Sequence, residues 1–324
     1  MENYRLNMDP FMDPAMNPIE LTMEAVNYVN SFIYRLIEQG ELSLVRLLRQ
    51  RFLERIEEKA GFKRVMPIAR VTSTNVKRTS SILDVKSSTI AEQMTVLDSE
   101  LFHRIELSEM LCWAQNQSEE TSPNLVVFTE HFNKVSYWVR TRVIDQSDQK
   151  EREKYYWKFI KVMRHLRRLG NFNSYLALLS ALDSGPVRRL EWSKGIQDAM
   201  AEHSGIMDSS QSFRNYRNAL AQTPPPCLPY IGLILQDLTF IHVGNSNELL
   251  PERCQGKHGL INFGKRWQQF AILDSVRKFK SWTYDFERNE PVISTFNSFT
   301  DFMSEDEIWT KSEELKPRGS GRKS

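Results

Sequence analysis

Side chains able to do covalent or metal chemistry are few and scattered: six histidines and three cysteines among 324 residues. Cys112, Cys227 and Cys254 include no pair at zinc-ligand spacing, and no His-Glu-x-x-His run occurs. Cys227 sits between prolines with no basic neighbour in the sequence to lower its pKa, so it reads as a small buried hydrophobe. His131 and His165 fall at helical positions beside apolar residues, where a hydrogen-bonded structural histidine is expected. The stretches "GKHG" and "FGKR" lack the glycine spacing and the Lys-Ser/Thr pair of a phosphate loop. Asn116-Gln117-Ser118 matches a glycosylation sequon, which has no role in a reducing compartment. No covalent mechanism is legible, and neither a metal nor a cofactor is expected.

Composition narrows the class further. Glycine and proline number 13 each, roughly 8% together against a usual share of about 12%, and this scarcity of breakers favours helices. Lys plus Arg, 43, nearly balances Asp plus Glu, 41, so no overall field recruits nucleic acid. The basic charge is local, around Lys63 to Lys86 and in the tail "KPRGSGRKS". Such runs are solvated surface first and a weak attraction to anionic lipid second. An odd, scattered cysteine set with no signal peptide ahead of it predicts a cytoplasmic protein.

One stretch stands apart: "TPPPCLPYIGLILQDLTFIHVGN", Thr223 to Asn245. Three prolines lead into about four turns of bulky, nearly uncharged residues. Gln236, Asp237 and His242 interrupt it, which removes a membrane span. A core helix and an apolar lever held out toward a partner both remain.

The elements that would position such a helix are themselves helical. Residues 1–18 are Met-, Asn-, Asp- and Pro-rich without a period and read as a disordered start. Apolar spacings of three and four run through 19–60 with a break at Gly40, predicting a helical pair. A basic, Ser/Thr-rich linker follows over 61–81, then a main body over 82–318 and a basic tail over 319–324. Within the body, Thr89 and Glu92 stand at capping-box spacing, as do Ser304 and Glu307. Ser122 and Pro123 read as N-cap and first helical residue. Gly170 separates a basic amphipathic helix from the more apolar "FNSYLALLSALDSG". With no strand alternation anywhere, the fold class is all-α, and composition alone leaves a helical interaction module.

Several blocks in order resemble the catalytic domain of Ras-family guanine-nucleotide exchange factors, the Son-of-sevenless relatives. These are "IAEQMTVLDSELF", "NFNSYLALLSALDSGPVRRL", "PPCLPYIGLILQDL", "LINFGKRWQQFAIL" and "ELKPR", the last with lysine in place of an acid. The wording of "FTEHFNKVSYWVR" and "LILQDLTFIHVGN" is most similar to the Rap-directed subgroup.

The resemblance implies a large helical domain with a protruding hairpin that wedges between the switch segments of a Rap/Ras-type GTPase. The implied partner surface comprises Leu176, Ser180, Asp183, Arg188, Phe213 and Tyr230, with Trp113, Val126, Phe128 and Glu130 at further positions. The implied catalytic residues are Gln236, Thr239 and Val243, pointing at the nucleotide site of the GTPase. Thr239 stands where Son-of-sevenless has a metal-blocking leucine, and Val243 where it has a glutamate, so Ras itself is not assumed as substrate. Residues 19–60 loosely resemble part of the accessory module that buttresses the hairpin. A non-catalytic adaptor, keeping the fold as a docking surface, is the alternative.

Overall fold

The computed structural model describes residues 81–209, 211–249 and 260–317. The expected disordered start, the helical pair over 19–60, nearly all of the linker and the basic tail lie outside these residues, as do Cys254 and "GKHG".

Twelve α-helices follow one another among the described residues: α1 (Ser87–Arg104), α2 (Leu107–Asn116), α3 (Pro123–Ile144), α4 (Gln149–Arg168), α5 (Phe172–Leu182), α6 (Gly185–Arg188), α7 (Lys194–Ser204), α8 (Arg214–Gln222), α9 (Ile231–Gly244), α10 (Phe263–Lys280), α11 (Glu290–Thr295) and α12 (Glu305–Leu315). A two-residue antiparallel ladder, β1 (Glu248–Leu249) with β2 (Leu260–Ile261), joins α9 to α10. The all-α reading holds.

Helix α5 is mostly apolar, and every residue from Phe172 to Leu182 except Ser180 is buried. A helix of that kind must sit at the centre. It packs between α3 and α4, with α1 laid across both of those, and Trp138, Phe159 and Tyr175 fill the space between them. A second core gathers Phe102, Met110, Leu125 and Phe128 around Ile231, Leu238 and Val276. Helix α9 therefore grows out of a packed base.

The centre of the body is polar in one place. Asp98 on α1 is fully buried. Its Oδ2 accepts from Asn171 Nδ2 at 2.7 Å and Ser174 Oγ at 2.5 Å, and its Oδ1 from Asn173 Nδ2 at 3.3 Å and His131 Nε2 at 3.1 Å. A carboxylate offers about four acceptor sites, and here all are used. Asn171 also caps α5, its Oδ1 accepting from Ser174 N at 3.0 Å. His131 is thus the hydrogen-bonded structural histidine that its position predicts.

Several helix ends follow the sequence and others do not. Ser304 and Glu307 form a reciprocal capping box on α12. Ser122 is the N-cap of α3, yet its hydroxyl donates to Glu109 O at 3.0 Å. The Glu109 carboxylate caps that helix instead, taking Asn124 N at 2.8 Å and Leu125 N at 2.9 Å. The expected Thr89–Glu92 box does not form, because α1 begins earlier, at Ser87 behind Lys86. Lys158 holds that earlier start by donating to the carbonyls of Leu83 and Val85.

The Asp98 cluster makes a direct prediction. Asp98→Ala leaves three buried donors and the half-buried His131 without their acceptor and should lower unfolding stability by about 3 kcal/mol, read from a urea titration. A loss below about 1 kcal/mol would mean that water or a neighbour replaces the carboxylate.

Candidate functional site

The base of the α9–α10 pair is tied to the α4–α5 corner. Phe172 N donates to Leu228 O at 2.9 Å and Leu228 N to Gly170 O at 3.0 Å. Gly170 has φ +70°, and a Cβ there would stand 3.0 Å from Thr223 Cγ2 and 3.1 Å from Pro226 O. Only glycine combines that conformation with so close a strand. Beyond α10, the Tyr284 hydroxyl donates to Leu169 O at 2.8 Å and Pro226 O at 3.2 Å. Burial pushes this phenol well above its ordinary pKa, so it stays a donor. Cys227, in the same segment, is buried and its thiol is pushed up to about 12 by loss of water. It is the inert hydrophobe that its flanking prolines suggest.

From that base α9 changes character along its length. Ile231, Leu233 and Leu238 are buried, and Leu235 is half-buried. Toward the far end Phe240 is 64% and Val243 77% exposed. Gln236 and Thr239 are half-buried on the same stripe, since residues three, four and seven apart share one helix face. Helix α10 runs back antiparallel to α9. Lys265 on its first turn is almost fully buried and its Nζ donates to His242 O at 2.9 Å, Asn245 O at 2.7 Å and Asn247 Oδ1 at 2.8 Å. These contacts satisfy carbonyls that the end of α9 would otherwise leave open. On α10, Phe263, Trp267 and Phe270 stack in sequence, all more than half exposed.

A groove of about 280 Å³ begins beside the start of α9. Leu176, Ser180 and Asp183 from α5 and its C-cap line it with Tyr230, joined by Phe132, Leu179 and Met207. The Tyr230 ring packs 5.3 Å from that of Phe132 and lies back over the first turn of α9. A Cβ on Gly232 would come within 2.5 Å of its Cζ, so glycine makes this posture available. At the rim, Arg188 pairs with Asp183 at 3.5 Å, and both are exposed. Phe213 is half-buried in the left-handed conformation, φ +61°, as N-cap of α8.

The structure brings Leu176, Ser180, Asp183 and Tyr230 together. Trp113 lies elsewhere, half-buried against the second core. Val126 is half-buried on the first turns of α3, and Glu130 is exposed and paired with Lys134 at 3.2 Å. Phe128 is a correction: it is fully buried, with its ring 6.0 Å from Phe102, and cannot be a contact surface. The exposed side chain at that turn is Val127. One residue along a helix is a rotation of about 100°, so an uncertain loop length before α3 moves a residue from surface to core. Phe132, Leu179 and Met207 were not singled out in the sequence because their groove forms only when α3, α5 and the turn after α7 meet. Phe240 could have been found, being one helical turn beyond Gln236.

Among the described residues no three His, Cys, Asp or Glu gather as metal ligands, and no helix is long and apolar enough to cross a membrane. The described residues form an all-α body carrying an apolar helical hairpin beside a groove. The RasGEF domain family model matches residues 89–267, more than half of the chain, and the chain belongs to this family. It is 50% identical over 318 residues to guanine nucleotide-releasing factor 2 of Drosophila melanogaster, covering 93% of this chain and 20% of that protein. It is 48% identical over 306 residues to Rap guanine nucleotide exchange factor 1 of Homo sapiens, covering 94% of this chain and 28% of that protein. Ras guanine nucleotide exchange factor J of Dictyostelium discoideum is 29% identical over 314 residues, covering 92% of this chain and 38% of that protein. The chain spans less than two-fifths of the length of each.

Lys265 supplies the prediction here. Lys265→Met takes the donor from the carbonyls of His242 and Asn245 at the end of α9 and should cost about 2 kcal/mol of stability. Deuterium exchange should rise at the amides of residues 240–244 and stay unchanged across α5. Equal protection in both proteins would show that Lys265 does not hold the helix end.

Proposed function

We propose that this chain releases GDP from a small GTPase of the Rap/Ras group, with the α9–α10 hairpin as the lever. The observation that carries the reading is the contrast along α9: a base tied by hydrogen bonds and packing, and an end where Phe240 and Val243 face solvent. Apolar surface held out in that way calls for a partner. The groove beside Tyr230 provides the second half of the grip, where Leu176, Ser180 and Asp183 receive one switch segment while the lever moves the other.

The physical logic needs no covalent step. A GTPase holds its nucleotide and Mg²⁺ through its P-loop and a switch segment, and moving that switch removes contacts from one side of the ligand. Gln236, Thr239 and Val243 would face the vacated site, where the valine offers a phosphate no hydrogen bond and makes its return costly. Exchange then requires tighter binding to the nucleotide-free state than to either loaded state. The name of the human relative supports Rap as the substrate group.

Substoichiometric chain should accelerate loss of fluorescent GDP from Rap proteins, act less on Ras and leave Rho types at their spontaneous rate. Silence on every Rap and Ras protein would hand the fold to the adaptor reading. Phe213→Ala should weaken binding to nucleotide-free GTPase by about 2 kcal/mol, as a central aromatic anchor does. Its melting temperature should stay close to that of the parent. A large drop in melting temperature with unchanged affinity would make Phe213 a core residue.

A further inference from the structure

Helix α8 touches both halves of the proposed site. Ahead of it, Gln211, Ser212 and Phe213 are all left-handed, with φ of +50°, +56° and +61°. Successive residues in that region persist only when their surroundings hold them. Arg217, one turn into α8, supplies the hold: its Nε donates to Ser212 O at 2.8 Å. The same guanidinium reaches α9, where Nη1 meets Asp237 Oδ2 at 2.8 Å and Nη2 meets Asp237 Oδ1 at 2.9 Å. A planar fork serves a carbonyl and both oxygens of a carboxylate in fixed directions, which the rotatable ammonium of a lysine does not set.

The geometry of the second attachment matters. Tyr216, the neighbour of Arg217, accepts from Tyr230 N at 2.7 Å, at the N-cap of α9. From Tyr230 to Asp237 is about 10 Å along the helix axis at 1.5 Å per residue. Between these points α8 and the hairpin stand apart around a groove of about 430 Å³, lined by Leu220, Leu233, Ile272 and Phe279. Leu238, beside Asp237, packs into the second core, so the pair sets the angle of α9 against that core from another side of the helix.

We propose that Arg217 is a positioning residue that couples the Phe213 turn to the lever: through Asp237 it sets the angle of α9 in register with the anchor that grips the GTPase. The inference rests on the exchange reading above and deepens it. Asp237 is adjacent to Gln236 and two residues before Thr239, so a change of angle displaces the stripe that faces the nucleotide. The pair is partly exposed, 41% for Arg217 and 30% for Asp237. Exposed pairs of this kind contribute little to folding stability, so its removal separates positioning from folding.

The test compares Arg217→Ala, Asp237→Asn and the double variant in GDP release from a Rap protein. Rates are taken at rising GTPase concentration to separate kcat from KM, alongside melting temperature and deuterium exchange. Each single variant should lower kcat roughly tenfold, and the double variant should lose no more than either, since both break one interaction. KM and melting temperature should stay near the parent values, while exchange rises at residues 211–216 and along α9. Arg217→Lys should recover only part of the rate. Parental kcat in every variant of an active chain, or single losses that multiply in the double, would overturn the coupling. A parent chain that releases no GDP from any Rap or Ras protein overturns the exchange reading itself, and exchange unchanged at both segments shows that the two are not coupled.

Discussion

A buried carboxylate with four donors around it is the constraint on which the body depends. Asp98 loses all contact with water, and burying such a charge costs several kcal/mol unless its lone pairs are filled. Filling them requires α1, α3 and the start of α5 to meet at one point, because the donors are His131, Asn171, Asn173 and Ser174. The Asn-Phe-Asn-Ser run is therefore an address label for Asp98, with Phe172 turned to the other side, edge-on to Tyr216. The α4–α5 corner, which carries Asn171, becomes a fixed place in the molecule.

That fixed place is where the hairpin is rooted. Leu228 pairs with the corner by backbone hydrogen bonds, and Tyr284 closes the same spot from the chain that leaves α10. Force applied at the far end of α9 therefore acts against the core of the body. The hairpin end has little packing to stiffen it, since Phe240, Val243, Phe263 and Trp267 all remain in solvent. Polar contacts add to the packing: Lys265 closes the end of α9, and Arg217 meets Asp237 at its middle from the side. Hydrogen bonds give direction without covering surface, so the apolar end of the hairpin stays exposed.

The helical pattern was legible from apolar spacing, and its errors are instructive. The Ser304–Glu307 box formed because nothing else competes for those groups on an exposed turn. At Ser122 and Thr89 the same local chemistry was overruled by Glu109 and Lys158, which reach in from other helices. Phe128 shows the same limit on the site. Leu125 and Phe128 share the buried face of α3, and one residue more or less in the loop before it exchanges Phe128 with exposed Val127. Leu176, Ser180, Asp183 and Tyr230 do line one groove, and the shared wall comes from α5 and the residue ahead of α9.

By itself the sequence determined the helical class, the chemical inertness of Cys227, the apolar character of α9 and the family blocks in order. Each is a property of composition or of spacing within one helix, where geometry is set by the 3.6-residue period. Only the tertiary structure decided which end of α9 is buried, which residues form the groove and which polar groups meet the hairpin. Asp98 meets Asn171, Arg217 meets Asp237, and Lys265 meets His242 across separations of 73, 20 and 23 residues. Periodicity states which face of a helix seeks cover. The partner on that face, and the angle at which it arrives, come from how several helices share one core.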